Sequence, residues 1–128
     1  MDTISNMIIQ IKNAGFAGHD RVLVPYSKLK HSIAEVLKKE GFIENVDTET
    51  HKGKQMLTIE LFMENRVPKI KGVDRISKPS KRIYKKFSDI RPVKSGYGAI
   101  ILSTSRGVMS GREAKKAKLG GEALFSIW

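Results

Sequence analysis

The residues best suited to chemistry follow an apolar run near the carboxyl end of the chain. Three hydroxyl side chains come in succession there, those of Ser103, Thr104 and Ser105. A hydroxyl group both donates and accepts hydrogen bonds, so it can contact a phosphate oxygen, a ribose hydroxyl or the edge of a base. The stretch is therefore consistent with a catalytic loop that holds phosphate, with a loop that reads a nucleic acid, or with an ordinary turn before a helix.

A catalytic role finds little support in the rest of the sequence. The histidines His19, His31 and His51 all lie in the first half, so no imidazole near the hydroxyl residues in sequence could activate a serine. The glycine pattern GYG precedes its predicted strand, whereas a dinucleotide fingerprint follows one, and the chain has no GxxxxGK[ST] motif. The histidines also lack metal-ligand spacing with any carboxylate pair. We therefore expect no enzyme, no metal and no cofactor.

Positive charge follows the hydroxyl residues directly. Arg106 supplies a cation, and Gly107 allows another backbone to approach closely. Ser110, with Glu113 three residues later, predicts a capped helix that ends at the glycine pair 120–121. The basic side chains predicted on the exposed surface of that helix are those of Arg112, Lys115, Lys116 and Lys118. Such a surface suits the phosphates of a nucleic acid.

A second basic stretch, residues 77–86, contains an aromatic residue among its cations. Strand alternation would place Arg82 and Tyr84 on one face and Ile83 on the other. If Ile83 faces the core, the Tyr84 ring is available to stack on a base or a ribose. A buried tyrosine with a satisfied hydroxyl is equally consistent with the pattern.

The net charge of the 128-residue chain, formally +11, is concentrated in the second half. Residues 1–64 carry 8 Lys+Arg against 9 Asp+Glu, whereas residues 65–128 carry 16 against 4. This concentration of positive charge in one half is typical of a protein that binds a polyanion. Cations that neutralise phosphates release counterions, and this release favours binding. An acidic protein, an anionic membrane or a solubilising surface would fit the charge alone. The absence of cysteine, of a signal-peptide pattern and of a membrane-length apolar run leads us to expect a soluble cytoplasmic protein.

Helical periodicity in the first half predicts two amphipathic helices. The first covers residues 3–14 and stops at Gly15, and the second begins after the N-cap Ser27 and ends at Gly41. The side chains of the second helix predicted to face inward are those of Leu29, Ile33, Val36 and Leu37. With the strands predicted between and after them, these helices would lie on one side of a small sheet.

Strand patterns complete the predicted fold. In the first half they cover residues 21–25, 42–47 and 54–64, and in the second half residues 73–77, 82–86, 99–105 and 122–128. Prolines, a glycine and a series of cations change the character of the chain near residue 65. The sequence thus predicts an α+β fold in two small halves. Residues 1–65 form an αβαββ domain, and residues 66–128 form a basic, mainly β domain with a short helix.

Several blocks of the chain resemble one family, that of bacterial small-subunit ribosomal protein number eight. The block STSRGVMSGREAKKAKLGGEALFSIW resembles the family's carboxyl-terminal signature, and DTISNMIIQIKNA resembles its first helix. VPYSKLKHSIAEVLKKEGFI resembles the second helix, and RISKPSKRIYKK resembles the region between the two domains. The resemblance covers nearly the whole chain. It implies the same two-part fold without catalytic activity, and a carboxyl-terminal domain that binds RNA.

The resemblance also implies a function and a set of contacts. The family binds an irregular helix in the central domain of 16S-type ribosomal RNA and supports assembly of the small subunit beside neighbouring ribosomal proteins. Many members repress translation of their own operon, which implies that operon's messenger RNA as a further partner. The residues assigned to RNA contact by the resemblance and the basic pattern are Ser103, Thr104, Ser105, Arg106, Gly107, Arg112, Lys115, Lys116, Gly120, Gly121, Glu122, Arg82, Tyr84 and Lys30.

Two functions from other classes remain as alternatives. One is a free-standing basic regulator that binds messenger RNA or duplex DNA, and the other is a phosphate-handling enzyme whose turnover would depend on Ser105. The location implied by the resemblance is the small ribosomal subunit in the cytoplasm, with a plastid origin also open. No membrane and no small-molecule substrate are expected.

Overall fold

The computed structural model describes residues 3–64 and 67–128. Their contacts divide the chain into two compact units, which we call unit 1 (Thr3–Lys71) and unit 2 (Gly72–Trp128). The predicted boundary between residues 65 and 66 falls on positions outside the described ranges, so it stays a prediction.

Two helices of unit 1 follow the predicted amphipathic pattern. Helix α1 spans Thr3–Phe16 and helix α2 spans Lys28–Lys39. The Ser27 hydroxyl caps α2, as predicted, because it accepts a hydrogen bond of 3.1 Å from the backbone N–H of Lys30. A cap of this kind stabilises a protein by about 1 kcal/mol. None of the helices in the described ranges has the length and apolar character needed to cross a bilayer.

Two details of the predicted helices are wrong. Helix α1 does not stop at Gly15, which is buried within it, because the left-handed turn comes at Gly18, where φ is 84°. Leu29 does not face inward and is 42% exposed. The buried stripe of α2 passes through Lys30 and Ile33 instead, which leaves Leu29 at its margin.

Three antiparallel strands form the sheet of unit 1. They are β1 (Arg21–Pro25), β2 (Ile43–His51) and β3 (Lys54–Leu61), in the order β1-β3-β2. Two short strands, β4 (Met63–Glu64) and β5 (Val67–Pro68), pair with each other. The largest buried side chains of unit 1 come from both helices and the sheet, and are those of Met7, Ile8, Ile11, Ile33, Leu37, Ile43, Leu57 and Ile59. The predicted αβαββ order is confirmed.

Unit 2 is built around one five-stranded antiparallel sheet. Its strands are β6 (Val73–Arg75), β7 (Tyr84–Lys85), β8 (Ala99–Thr104), β9 (Gly107–Ser110) and β10 (Gly121–Ile127). The order is β6-β10-β8-β9, and β7 pairs with β10 beyond the end of β6. Strand β9 was not predicted, and the predicted strand 82–86 is reduced to two residues. The α+β fold itself, mainly β in this half with a short helix, is confirmed.

A small core holds the rest of unit 2 against one face of this sheet. The short helix α3 spans Gly111–Lys116, and two 3-10 turns cover Phe87–Asp89 and Lys94–Gly96. The buried residues of the core are Ile90, Ile100, Leu102, Ala114 and Ala123. Because Ala114 belongs to α3 and Ile90 follows the first 3-10 turn, the core fixes both segments relative to β8.

Candidate nucleic-acid interface

The three hydroxyl residues lie on a β-hairpin rather than in a loop that leaves the core. Strands β8 and β9 pair as far as Thr104 and Gly107, so Ser105 and Arg106 form the tip. Gly107 has a φ of 108°, which favours glycine after a turn of this kind. Both tip residues are exposed. We call the segment 99–110 the hydroxyl hairpin.

The Thr104 hydroxyl fastens the tip of this hairpin. Its Oγ1 accepts a hydrogen bond of 3.1 Å from the Arg106 N–H and donates one of 2.8 Å to the Gly107 carbonyl. This is the local role expected of an ordinary turn. Ser105 is exposed and Ser103 is half-buried on β8. The hairpin thus combines a turn fixed by one hydroxyl with a second hydroxyl presented at its tip.

A row of side chains crosses the sheet beside the hairpin. Tyr84 on β7 pairs with Glu122 on β10, Glu122 pairs with Ser103 on β8, and Ser103 pairs with Val108 on β9. Directly opposed residues point to the same face of a sheet, with Cβ atoms about 4.5–5.5 Å apart. Tyr84 is 70% exposed, so of the two interpretations of this residue the structure supports an accessible ring. The structure therefore brings together residues that are distant in sequence.

The glycine pair 120–121 allows the strands of this row to approach each other. A Cβ atom at Gly121 would lie 2.2 Å from the Ser103 carbonyl oxygen, and one at Gly120 would lie 2.5 Å from the Lys85 carbonyl oxygen. The prediction that these glycines end α3 is wrong. The helix stops at Lys116, and the chain reverses at Lys118, whose φ is 57°. Glycine is required at these two positions because neighbouring backbone packs closely against them, and not because a helix ends there.

An ion pair holds the basic stretch against this row. Arg82 Nη1 lies 3.0 Å from Glu122 Oε2, across 40 positions of sequence. The Glu122 side chain is only 17% exposed, whereas that of Arg82 is 52% exposed. A charged hydrogen bond to a largely buried carboxylate fixes the direction of a long side chain. Glu122 therefore positions Arg82 beside Ser103 and Tyr84.

A buried serine closes the loop that carries Lys78 and Lys81 of this stretch. Ser77 is fully buried, and its Oγ donates to the Ile83 carbonyl at 3.1 Å and accepts from the Ile83 N–H at 2.8 Å. Lys78 and Lys81 exchange two backbone hydrogen bonds between these anchors. We call residues 78–82 the basic loop. The role of Ser77 could not be predicted from the sequence, because a serine in a strand pattern carries no signal of a partner six residues away.

Helix α3 presents its cations from a fixed position. The Ser110 hydroxyl is buried and accepts a hydrogen bond of 3.3 Å from the Glu113 N–H, which confirms the predicted cap. Ala114 is fully buried in the core of unit 2. The cations that remain exposed on this helix are Arg112, Lys115 and Lys116. A single rigid element therefore carries three positive charges.

Lys30 lies in unit 1, on helix α2. It is 8% exposed, and its Nζ donates a hydrogen bond of 3.2 Å to the Pro25 carbonyl oxygen. This hydrogen bond tethers the start of α2 to the end of β1. The RNA contact assigned to Lys30 stays a prediction.

The described residues contain no group of three or more His, Asp or Glu side chains arranged to hold a metal ion. Within unit 2 the hydroxyl residues have no histidine partner, since all three histidines precede residue 65. The arrangement suits noncovalent binding of a polyanion, through hydroxyls, an aromatic ring and fixed cations.

Comparison with known proteins identifies the family of the chain. Residues 2–128 match the family model described as ribosomal protein S8. The chain is 45% identical to small ribosomal subunit protein uS8 of Sorangium cellulosum and 47% identical to that of Nitratidesulfovibrio vulgaris strain DP4, in each case over 99% of this chain and 98% of the relative. It is 43% identical to small ribosomal subunit protein uS8c of Tupiella akineta over 99% of this chain. The chain therefore belongs to the ribosomal protein S8 family, which confirms both the resemblance and the prediction that it is not an enzyme.

Proposed function

We propose that this protein is a structural constituent of the small ribosomal subunit that binds ribosomal RNA through unit 2. The preferred RNA is an irregular helix in the central domain of the small-subunit RNA. The observation that carries the proposal is the row Tyr84, Glu122 and Ser103, with Arg82 paired to Glu122 and the exposed tip residue Ser105 on the neighbouring hairpin.

Charge supplies the affinity that does not depend on sequence. Residues 72–128 carry 13 Lys+Arg against 4 Asp+Glu. The exposed cations nearest in sequence to the hydroxyl residues are Arg106, Arg112, Lys115 and Lys116. Each cation that neutralises a phosphate releases counterions, which makes the affinity fall as salt rises. This part of the binding would act equally on any RNA.

Hydroxyls and the aromatic ring supply the preference for an irregular helix. An A-form helix displays ribose hydroxyls and base edges in a wide, shallow minor groove, where Ser105 at a protruding tip can form hydrogen bonds. An irregular helix also offers unstacked bases, and an exposed ring such as that of Tyr84 can stack on one of them. A fully paired duplex offers Tyr84 no unstacked base and keeps its base edges engaged in pairing, so it also offers the Ser105 hydroxyl fewer hydrogen-bond partners.

Partners and location follow from the same proposal. The protein acts within the small subunit beside neighbouring ribosomal proteins, in a bacterial cytoplasm or in a plastid, since one relative is the uS8c protein of Tupiella akineta. A messenger RNA from its own operon that folds into a similar irregular helix would occupy the same surface and be repressed. A reporter fused behind that operon's leader should fall on overexpression of the protein, and Ser105→Ala should relieve the repression.

Co-sedimentation tests the ribosomal role directly. Tagged protein from the source cells is centrifuged through gradients at moderate and high salt, beside total ribosomal subunits. A ribosomal constituent should travel with the small subunit at both salt concentrations. A free-standing regulator would instead stay near the top of the gradient, and that result would contradict the proposal.

A further inference from the structure

The side chain of Tyr97 lies outside the interface described above and is the most exposed large apolar side chain among the described residues, at 87%. It follows the second 3-10 turn, Lys94–Gly96, directly. Burial of the ring plays little part in the stability of unit 2, because the ring is almost fully in water. The ring is therefore accessible to a partner.

The backbone that carries Tyr97 is held in one conformation. The Tyr97 N–H donates to the Lys94 carbonyl at 3.1 Å, and the N–H of Gly98 donates to the Val93 carbonyl at 3.0 Å. Gly98 also packs against the end of β10, since a Cβ there would lie 2.7 Å from the Ile127 carbonyl oxygen. An aromatic ring on a fixed backbone loses little conformational entropy on binding.

This turn lies at the far end of the sheet from the tip of the hydroxyl hairpin. Strand β8 begins at Ala99, just after the turn, and ends at Thr104, just before the tip. Ala99 pairs with Ile127 and Thr104 pairs with Gly121, so β10 spans the same distance in reverse. Six strand residues extend about 20 Å. A group bound at Tyr97 would therefore be separate from the RNA segment that contacts the tip of the hydroxyl hairpin.

Two cations lie close to Tyr97 in the sequence. Lys94 in the same turn is exposed, and its Nζ lies 4.6 Å from the centroid of the Trp128 ring. Arg91, just before the turn, is also exposed. A protein partner would need a contiguous apolar patch, whereas the only exposed large apolar side chain among the described ones of this turn is that of Tyr97. One ring among cations in a strongly basic unit matches RNA better, because RNA offers a base to stack and phosphates to pair.

We propose that Tyr97 forms a second RNA contact of unit 2. Its ring is a stacking surface for one unpaired base, and Lys94 and Arg91 contact the backbone phosphates next to that base. The contact rests on the proposed RNA-binding function and extends it to a second RNA segment. Two separate contacts about 20 Å apart on one sheet would fix the direction of the sheet between two RNA segments, which one contact cannot do.

A single-stranded oligoadenylate of about eight nucleotides is a suitable probe, because it offers unpaired bases without the irregular helix. Its affinity for the full chain is measured at low salt by fluorescence anisotropy of an end label. The variants are Tyr97→Ala, Tyr97→Phe and, as the matched control, Phe16→Ala, which removes an exposed aromatic ring from unit 1. Thermal melting of each variant checks that the fold is unchanged.

We expect Tyr97→Ala to weaken binding by about five-fold or more, the loss typical of one stacked base. Tyr97→Phe and Phe16→Ala should each stay within about two-fold of the wild type, since Phe keeps the ring at position 97 and Phe16 lies in unit 1, outside the proposed contacts. The emission of the sole tryptophan, Trp128, should also change on saturation, because Lys94 would move from its ring towards phosphate. Equal affinity of the wild type and Tyr97→Ala, or an unchanged Trp128 emission at saturation, would overturn the second contact.

An RNA hairpin that contains the irregular helix of the small-subunit RNA, called the irregular hairpin, is titrated in parallel. This titration separates the Tyr97 contact from the proposed function. Wild type and Tyr97→Ala should bind that hairpin equally. If the hairpin binds normally and the oligoadenylate shows no dependence on Tyr97, only the second contact fails. If the wild type does not prefer the hairpin to a paired duplex, the proposed function fails, whatever the oligoadenylate shows.

Discussion

Gly121 approaches Ser103 so closely that a Cβ atom at residue 121 would lie 2.2 Å from the Ser103 carbonyl oxygen. This contact joins the start of β10 to the end of β8, at the row that also contains Glu122. The proposed interface therefore depends on backbone packing as much as on its polar side chains.

Gly121→Ala should destabilise unit 2, because the added methyl group collides with backbone that cannot move without breaking strand pairing. The expected loss in the free energy of unfolding is about 1–3 kcal/mol, measured by urea denaturation. Gly53→Ala is the matched control: its Cβ would meet nothing within 4 Å, and only the φ of 80° opposes it. A smaller loss for Gly121→Ala than for Gly53→Ala would contradict the packing role.

Glu122→Gln distinguishes positioning from bulk charge. Removal of a carboxylate raises the net positive charge, so electrostatics alone predicts tighter RNA binding. If Glu122 directs Arg82 through their 3.0 Å ion pair, the affinity for the irregular hairpin should instead fall, by about three- to ten-fold. Asp89→Asn makes the same charge change at an exposed site and should tighten binding slightly. An equal rise in affinity for both variants would show that Glu122 does not position Arg82.

Thr104→Val tests the hydroxyl that closes the tip. Valine keeps the shape of threonine but loses the hydrogen bonds to Arg106 and Gly107. We expect a loss of about 1–2 kcal/mol in the free energy of unfolding, together with weaker preference for the irregular hairpin. Thr50→Val, on an exposed edge-strand position of unit 1, serves as the control. Unchanged stability would mean that Thr104 does not fasten the turn.

Ser77→Ala should loosen the basic loop. The change leaves the partly buried Ile83 N–H without its side-chain acceptor, at a cost of about 1–3 kcal/mol. Limited digestion with trypsin should then cut after Lys81 or Arg82 faster than in the wild type, because local opening exposes the loop. Ser80→Ala, within the same loop but exposed, should leave the digestion rate unchanged. Equal rates for Ser77→Ala and the wild type would contradict the anchoring role.

Local signals explain which features the sequence could predict. The caps at Ser27 and Ser110 were predicted because a helix start depends on a residue and its neighbours three positions later. Strand alternation placed Tyr84 and Ile83 on opposite faces but left the burial of the Tyr84 ring open, and only the structure supports the exposed alternative.

Long-range packing explains the features that the sequence could not predict. The glycine pair 120–121 was assigned to a helix end, since the carbonyl groups that exclude side chains there belong to segments 17 or more residues away in the chain. The pair Arg82 and Glu122 joins positions 40 residues apart. The burial of Lys30 could not be predicted either, because its stem packs in the buried stripe of α2 while its Nζ donates to the Pro25 carbonyl oxygen on another element.

The most direct test of the account compares two RNAs of equal length, the irregular hairpin from the central domain of small-subunit ribosomal RNA and a fully paired duplex. Affinity is measured for each across a salt series, for the wild type, Ser105→Ala and a variant with both Lys115→Ala and Lys116→Ala. The serine change removes a hydroxyl at the exposed tip, whereas the lysine changes remove charge from α3.

We predict that the wild type prefers the irregular hairpin and that Ser105→Ala reduces this preference by about five- to ten-fold without a change in the salt slope. The double lysine variant should bind both RNAs more weakly, and to the same extent. The slope of log affinity against log salt concentration should become shallower by about two. Equal binding of the two RNAs by the wild type, with no effect of Ser105→Ala, would contradict the account and leave unit 2 as a general polyanion surface.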